Sequence, residues 1–214
     1  MPTQEERRAA SQAALLEATV DCLAEGGYAT LSTREISRRA GVAQGTQRHY
    51  WPTKAGLLMA AMRHAKAGLA VRALERLRTL GPLDATSVAQ GVDLAWELHR
   101  GREFRALQAL WQAAADDRDV ADVARSLEAE IQKELLDTVA VVFPNAAEHP
   151  DARAVLETGL AAVRGVVALA PLLDDDELEA RWQPVRTELI RMVSSRLERT
   201  GAGNRRGAAS RRRA

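Results

Sequence analysis

The sequence predicts an all-α fold, and three observations carry that expectation. Ala, Leu, Arg and Glu recur along the whole chain, and these side chains lose little rotamer freedom in a helix. Runs of alternating Val, Ile, Thr and Tyr, the pattern of a half-buried strand, are missing. Thr or Ser followed three residues later by Glu, and Gly just past an apolar stripe, mark helix starts and stops.

The first helix opens at Thr3-Gln-Glu-Glu6, where hydroxyl and carboxylate can satisfy free amide donors of the first turn. Leu15, Leu16, Thr19, Val20 and Leu23 share one face of it. Gly26 and Gly27 stop it, and Tyr28 is expected to pack back as an anchor. Ser32 caps a second, short helix from Thr33 to about Ala40, again with an acid, Glu35, three residues on. Gly41 ends it. A third helix spans about Gln44 to Tyr50. Thr53 then caps a long helix from Lys54 to about Thr79.

Two short helices joined by a glycine turn behind a longer one form a helix-turn-helix layout. It explains the stretch "GVAQGTQRHYW". Gln44, Thr46, Gln47 and Arg48 are polar as base edges and phosphates require, Gly45 permits close backbone approach, and Val42, Tyr50 and Trp51 hold the helix to its scaffold. Lys54 adds a positive charge at the start of the long helix.

Further helices are expected downstream, broken at Gly81-Pro82, at Gly101, near Asp116-Asp117, at Pro144 to Pro150 and at Asp174-Asp175-Asp176. Asp116, Asp117 and Asp119 read as residues that cap and break a helix. The division expected is a helix-turn-helix domain over residues 1–54, a larger helical domain over 55–200, and a disordered basic tail over 201–214. That tail, "GAGNRRGAASRRRA", holds five arginines and no acid.

Composition excludes several classes. Thirty basic residues against twenty-nine acidic ones give a net charge of +1, so any attraction to nucleic acid must be local. Cys22 is the only cysteine, which rules out an internal disulfide and a multi-cysteine zinc site; it reads as a small core residue. Four scattered histidines give no second ligand at useful spacing, so no metal is expected. Neither a signal peptide nor an apolar run of membrane-spanning length is found, so a cytoplasmic location without membrane contact is expected. Without a phosphate loop, metal cluster or paired carboxylates beside a base, neither an enzyme nor a cofactor is expected.

Residues 15–58 resemble the tetracycline-repressor (TetR/AcrR) family of bacterial one-component regulators. The matching features are Gly27-Tyr28, the Thr33-Arg34-Glu35-Ile36 opening, and Ala40-Gly41-Val42. Gly45-Thr46, His49-Tyr50-Trp51, Pro52-Thr53-Lys54 and Leu57-Leu58 continue in register. The resemblance implies a three-helix DNA-binding domain followed by a domain that binds an effector and dimerises. Carried over by motif position, Ser32, Thr33, Arg34, Gln44, Gly45, Thr46 and Arg48 face DNA, with Tyr50 and Lys54 on phosphates. The chain departs from the family's Gly-Thr-Leu-Tyr pattern at Gln47-Arg48. Gln47 either points to the groove or hydrogen-bonds within the domain, and Arg48 reaches a guanine or a phosphate.

Two constellations lie beyond this region. Trp96, His99, Phe104, Leu107, Gln108 and Trp111 combine aromatic area with a few polar groups, as effector pockets do. Residues 155–173 and the final helix repeat apolar side chains, and Leu160, Val163, Val167, Leu189 and Val193 are expected at a four-helix dimer interface. Pro184 should kink the final helix or mark its true start. The expectation is a homodimeric repressor on a near-palindromic operator in double-stranded DNA, released by a small-molecule effector. The competing class is a helical protein-interaction adaptor, which would leave the polar face of Gln44–Arg48 unexplained.

Overall fold

The computed structural model describes residues 1, 3–80, 84–142 and 151–211, with the backbone alone for residues 85, 142 and 197–211. Among them are nine helices and no strand: α1 Gln4–Gly26, α2 Thr33–Ala40, α3 Gln44–Tyr50, α4 Lys54–Arg78, α5 Ala85–His99, α6 Arg102–Ala113, α7 Arg118–Val142, α8 Ala152–Val167 and α9 Asp175–Arg211. The breaks expected at Gly101, Asp116-Asp117 and Asp174–Asp176 separate consecutive helices. Those at Gly81-Pro82 and Pro144–Pro150 lie outside the described residues.

Local chemistry accounts for the N-terminal boundaries. Glu6 N–H donates to Thr3 Oγ1 at 3.2 Å and Thr3 N–H donates to Glu6 Oε2 at 2.6 Å, a complete capping box. After α1, Gly27 sits at φ 70° and ψ −178°, a region in which only glycine is unstrained. Ser32 Oγ accepts from Glu35 N–H, Gly41 closes α2 in the left-handed region at φ 64°, and Thr53 Oγ1 accepts from Gly56 N–H at the start of α4. Asp117 caps α7, accepting from the amides of Asp119 and Val120. The same residue accepts the Tyr28 hydroxyl at 2.9 Å, which fixes the anchor expected after α1.

The described residues divide into two compact units. The first comprises Met1–Arg72 and Arg100–Glu134; the second comprises Ala73–His99 and the described residues from Leu135 on. The division expected at residues 54 and 55 therefore falls inside the first unit, because α6 and most of α7 pack with the N-terminal helices. In this unit α1 packs on α2 and α6, burying Leu15, Val20, Leu23, Ile36, Leu57, Leu58 and Leu110 almost completely. Cys22 is buried there as a packing residue, and burial pushes its thiol pKa up.

Charged side chains cross-link the helices of the first unit. Arg102 bridges Glu17 and Asp21 at 2.6 Å each, and His64 Nε2 meets Glu17 at 2.6 Å. Glu130 accepts from Arg63 and Lys66, whose hydrogen bonds hold its carboxyl pKa down at about 2 against an ordinary value of 4.5. A depressed carboxylate stabilises the fold above its unfolded value and loses that contribution as pH falls through the folded one. We expect a loss on the order of 1 kcal/mol between about pH 5 and about pH 2, allowing for solvent screening. Urea titrations across that range should show Glu130→Gln less acid-sensitive than the parent; equal sensitivity would remove Glu130 as the cause.

In the second unit α9 packs on α5 and α8. Trp96 and Trp182 stack with ring centroids 4.5 Å apart and 5° between planes, and Arg186 grips Asp93 through two hydrogen bonds of 2.5 and 2.7 Å. Pro184 lies inside α9, which starts well before it at Asp175, so it does not mark the start of the helix. The same helix runs on to Arg211 through residues 201–211, where composition predicts a tail without structure. Arg and Ala there are good helix formers continuing an existing helix, which spares them nucleation.

Candidate nucleic-acid interface

Helix α3 is seven residues long and would be marginal alone. Its end is clamped by Gln47, the residue at the family's aliphatic position. Trp51 N–H donates to the Gln47 carbonyl at 2.9 Å, while Gln47 Nε2 donates back to the Trp51 carbonyl at 3.1 Å. Gln47 is only 4% exposed. Its assignment as a DNA-facing residue is therefore corrected: its amide is spent inside the domain. Gln47→Ala should cost about 1–2 kcal/mol, from a lost hydrogen bond and a carbonyl left short of a partner, as read by thermal unfolding. A change under a few tenths would refute the clamp.

With Gln47 turned inward, the helical repeat turns Gln44, Gly45 and Arg48 outward, and all three are exposed. Thr46 and Tyr50 are half-buried. Tyr50 meets the rings of His49 and Trp51, each at 5.8 Å between centroids, and the Arg8 guanidinium lies 5.7 Å over its ring. Arg8 was not legible as a site residue, since its segment reads only as a capped helix start.

On α2, Ser32 spends its hydroxyl on the cap but stays exposed beside half-buried Thr33 and exposed Arg34. Arg38 and Arg39 are both tied to Glu35, at 2.6 and 2.9 Å, and Arg39 also to Glu25 at 2.6 Å. Hydrogen bonds from Arg38 and Arg39 hold the Glu35 carboxyl pKa down at about 2. Arg34 and Arg48, by contrast, have no acidic partner among the described residues. Positive charge open to a phosphate or a base thus stands at Arg34 on α2 and Arg48 on α3.

Lys54 departs from the expected phosphate contact. Its Nζ lies 3.9 Å from the centroid of the Tyr28 ring, and burial pushes its pKa down while Asp117 works the other way. Burial and the hydrogen bond to Asp117 in turn raise the Tyr28 hydroxyl pKa to about 12. The three residues brace the start of α4.

The six residues expected around an effector are divided between the units. Phe104 and Leu107 are buried in the first unit, where Phe104 meets Trp111 edge-on at 5.6 Å, and Gln108 is half-buried on the same helix. Trp96 is committed to its stack with Trp182, and its Nε1–H donates to Glu179 at 3.2 Å. His99 Nδ1 lies 2.7 Å from the Ala95 carbonyl; burial lowers its pKa to about 4, so the ring is neutral near pH 7. These are the roles of core residues.

An open cavity of about 290 Å³ lies instead within the second unit, among α4, α5, α7, α8 and α9. None of those six residues lines it. Leu160, Val163, Leu189 and Val193 do, and Val167 is 2% exposed, so the five side chains expected at a dimer interface face inward within one chain. Sequence periodicity identified the apolar stripe but not which neighbour covers it.

The signature of "Bacterial regulatory proteins, tetR family" matches residues 15–61, which span α2, α3 and the flanking parts of α1 and α4. CymR, an HTH-type transcriptional regulator of Pseudomonas putida, is 35% identical over 119 residues, covering 56% of this chain and 57% of its own length. The chain thus spans little more than half of that relative. An HTH-type transcriptional regulator of Mycobacterium bovis is 27% identical over 196 residues, covering 88% of this chain and 96% of its own. A transcriptional regulator from Saccharomonospora viridis, solved in complex with choline, has the same fold at TM-score 0.61 and 17% identity, over 89% of this chain and 96% of its own. The helix-turn-helix region, its signature and these relatives agree: residues 15–61 carry the DNA-binding signature of the tetR family of bacterial regulatory proteins.

Proposed function

We propose that the protein is a DNA-binding transcriptional regulator that acts as a homodimeric repressor on a near-palindromic operator and is released by a small-molecule effector. One observation carries the reading: Gln44, Gly45 and Arg48 form the outward face of a short helix whose end is clamped by Gln47. A recognition helix needs such a face, polar and rigidly held, to meet base edges in the major groove. Arg34 and Arg8 flank it as phosphate ligands. Small-molecule binding by a protein of this fold, the choline complex from S. viridis, supports an effector site in this chain.

The homodimer uses the outward side of α8 and the turn after it, since the inward side faces the cavity and core of its own chain. Ala161, Gly165, Ala168 and Leu169 recur there at helical spacing, all exposed, with Leu172 78% exposed beyond them. Two copies joined by a two-fold axis would present two recognition helices to two half-sites. No helix among the described residues is long and apolar enough to cross a membrane, and we place the protein in the cytoplasm with its DNA.

Selection of duplexes from a random pool by purified protein tests the reading. Enrichment of a near-palindrome is expected. Binding that is absent even at low salt would sink it, because phosphate binding strengthens as salt is removed.

A further inference from the structure

The cavity of the second unit bears a chemical signature of its own. Its described lining is aliphatic apart from Ser87 and Arg196, with no aromatic ring and no carboxylate. The Ser87 hydroxyl is engaged at the start of α5, accepting from Asp84 N–H at 2.8 Å and donating to the Asp84 carbonyl at 3.0 Å. At roughly 30 Å³ for each water-sized group, the volume of about 290 Å³ takes about ten non-hydrogen atoms.

A second observation points to the same space. Gly91 in α5 and Gly159 in α8 both line the cavity in helix interiors, where glycine is disfavoured relative to alanine. Close packing does not require them, because a Cβ added at either position would meet nothing within 4 Å. What their missing side chains preserve is open volume.

We propose that this cavity is the effector site and that it takes a compact aliphatic molecule carrying no positive charge. A cation would find neither a carboxylate nor an aromatic face in the described lining. A hydrocarbon body is matched along its whole length. A hydroxyl or a single carboxylate at one end is accommodated at Arg196, whose guanidinium has five donors. The proposal rests on the reading of the protein as an effector-controlled regulator, but binding is measured without DNA, so the two fail separately.

Titration calorimetry of the full chain against decanol, decanoate and decyltrimethylammonium is the test, with DNA binding measured apart. Decanol or decanoate should bind, and the ammonium should bind at least tenfold more weakly or not at all. Gly159→Leu, which puts a side chain into the cavity, should abolish binding without lowering the melting temperature. Gly159→Ala serves as the milder control, with a melting temperature equal to or above the parent's. If decanoate binds better than decanol and Arg196→Gln removes the difference, the ligand is an acid; if alcohol and acid bind alike and Arg196→Gln changes neither, it is neutral. Equal or tighter binding of the ammonium, unaltered affinity in a folded Gly159→Leu protein, or no binding of any of the three would overturn the proposal.

Discussion

Trp182→Ala should lower the stability of the protein by about 3–5 kcal/mol, a large fraction of what holds a typical domain together. Trp182 is 1% exposed and lies flat against Trp96, which is itself 6% exposed. Truncation removes the largest fully buried side chain of the described residues and leaves a hole that α5, α8 and α9 can close only by moving together. It also strips one face of the Trp96 ring, whose Nε1–H remains bound to Glu179, so the ring cannot simply rotate into the gap. Trp182→Phe keeps an aromatic face and should cost less than half as much. Urea unfolding followed by circular dichroism measures both. A cost below about 1 kcal/mol for the alanine variant would mean that the stack is not a structural centre of the second unit.

The N-terminal helices were legible because their boundaries are written in local chemistry. Thr3, Ser32 and Thr53 each cap through their own hydroxyl, and Gly27 and Gly41 occupy positive φ, so no distant residue is needed to place these ends. Gln47 was only half legible. Its neighbours identify the helix, but whether an amide turns outward or back to the Trp51 carbonyl depends on packing behind α3.

The second unit was less legible for a physical reason. An aliphatic stripe shows that a helix face is covered, yet a cavity wall, a core and a subunit interface have the same composition. Leu160 and Val193 line a cavity, Val167 fills a core, and nothing in their spacing separates those roles. Aromatic residues carry the same ambiguity. Trp96 and Phe104 are core aromatics, whereas the described wall of the open space contains no aromatic side chain. A Cβ added at Gly159 would meet nothing within 4 Å, so this glycine borders open volume, which spacing alone does not reveal.

Arg48→Ala is the most informative change for the proposed function. Arg48 is exposed, lacks an acidic partner among the described residues, and shares the outward face of α3 with Gln44. Its removal should leave the melting temperature unchanged within about 1 °C, since exposed charges contribute little to stability. Binding to the selected operator should weaken by about 1–3 kcal/mol, roughly five- to 150-fold. The loss should be confined to the preferred base pair if the guanidinium grips guanine O6 and N7, so that repeating the duplex selection with the variant relaxes one position in each half-site. Arg34→Ala provides the contrast: without its phosphate ligand on α2, the protein should bind all sequences more weakly alike, and the salt dependence should flatten by about one unit of slope per site. Were Arg48→Ala to weaken every duplex equally, Arg48 would be a phosphate ligand and Gln44 the remaining base reader on that face. If it changed nothing, the outward face of α3 would not be the surface that enters the groove, and the proposed mode of binding would fall with it.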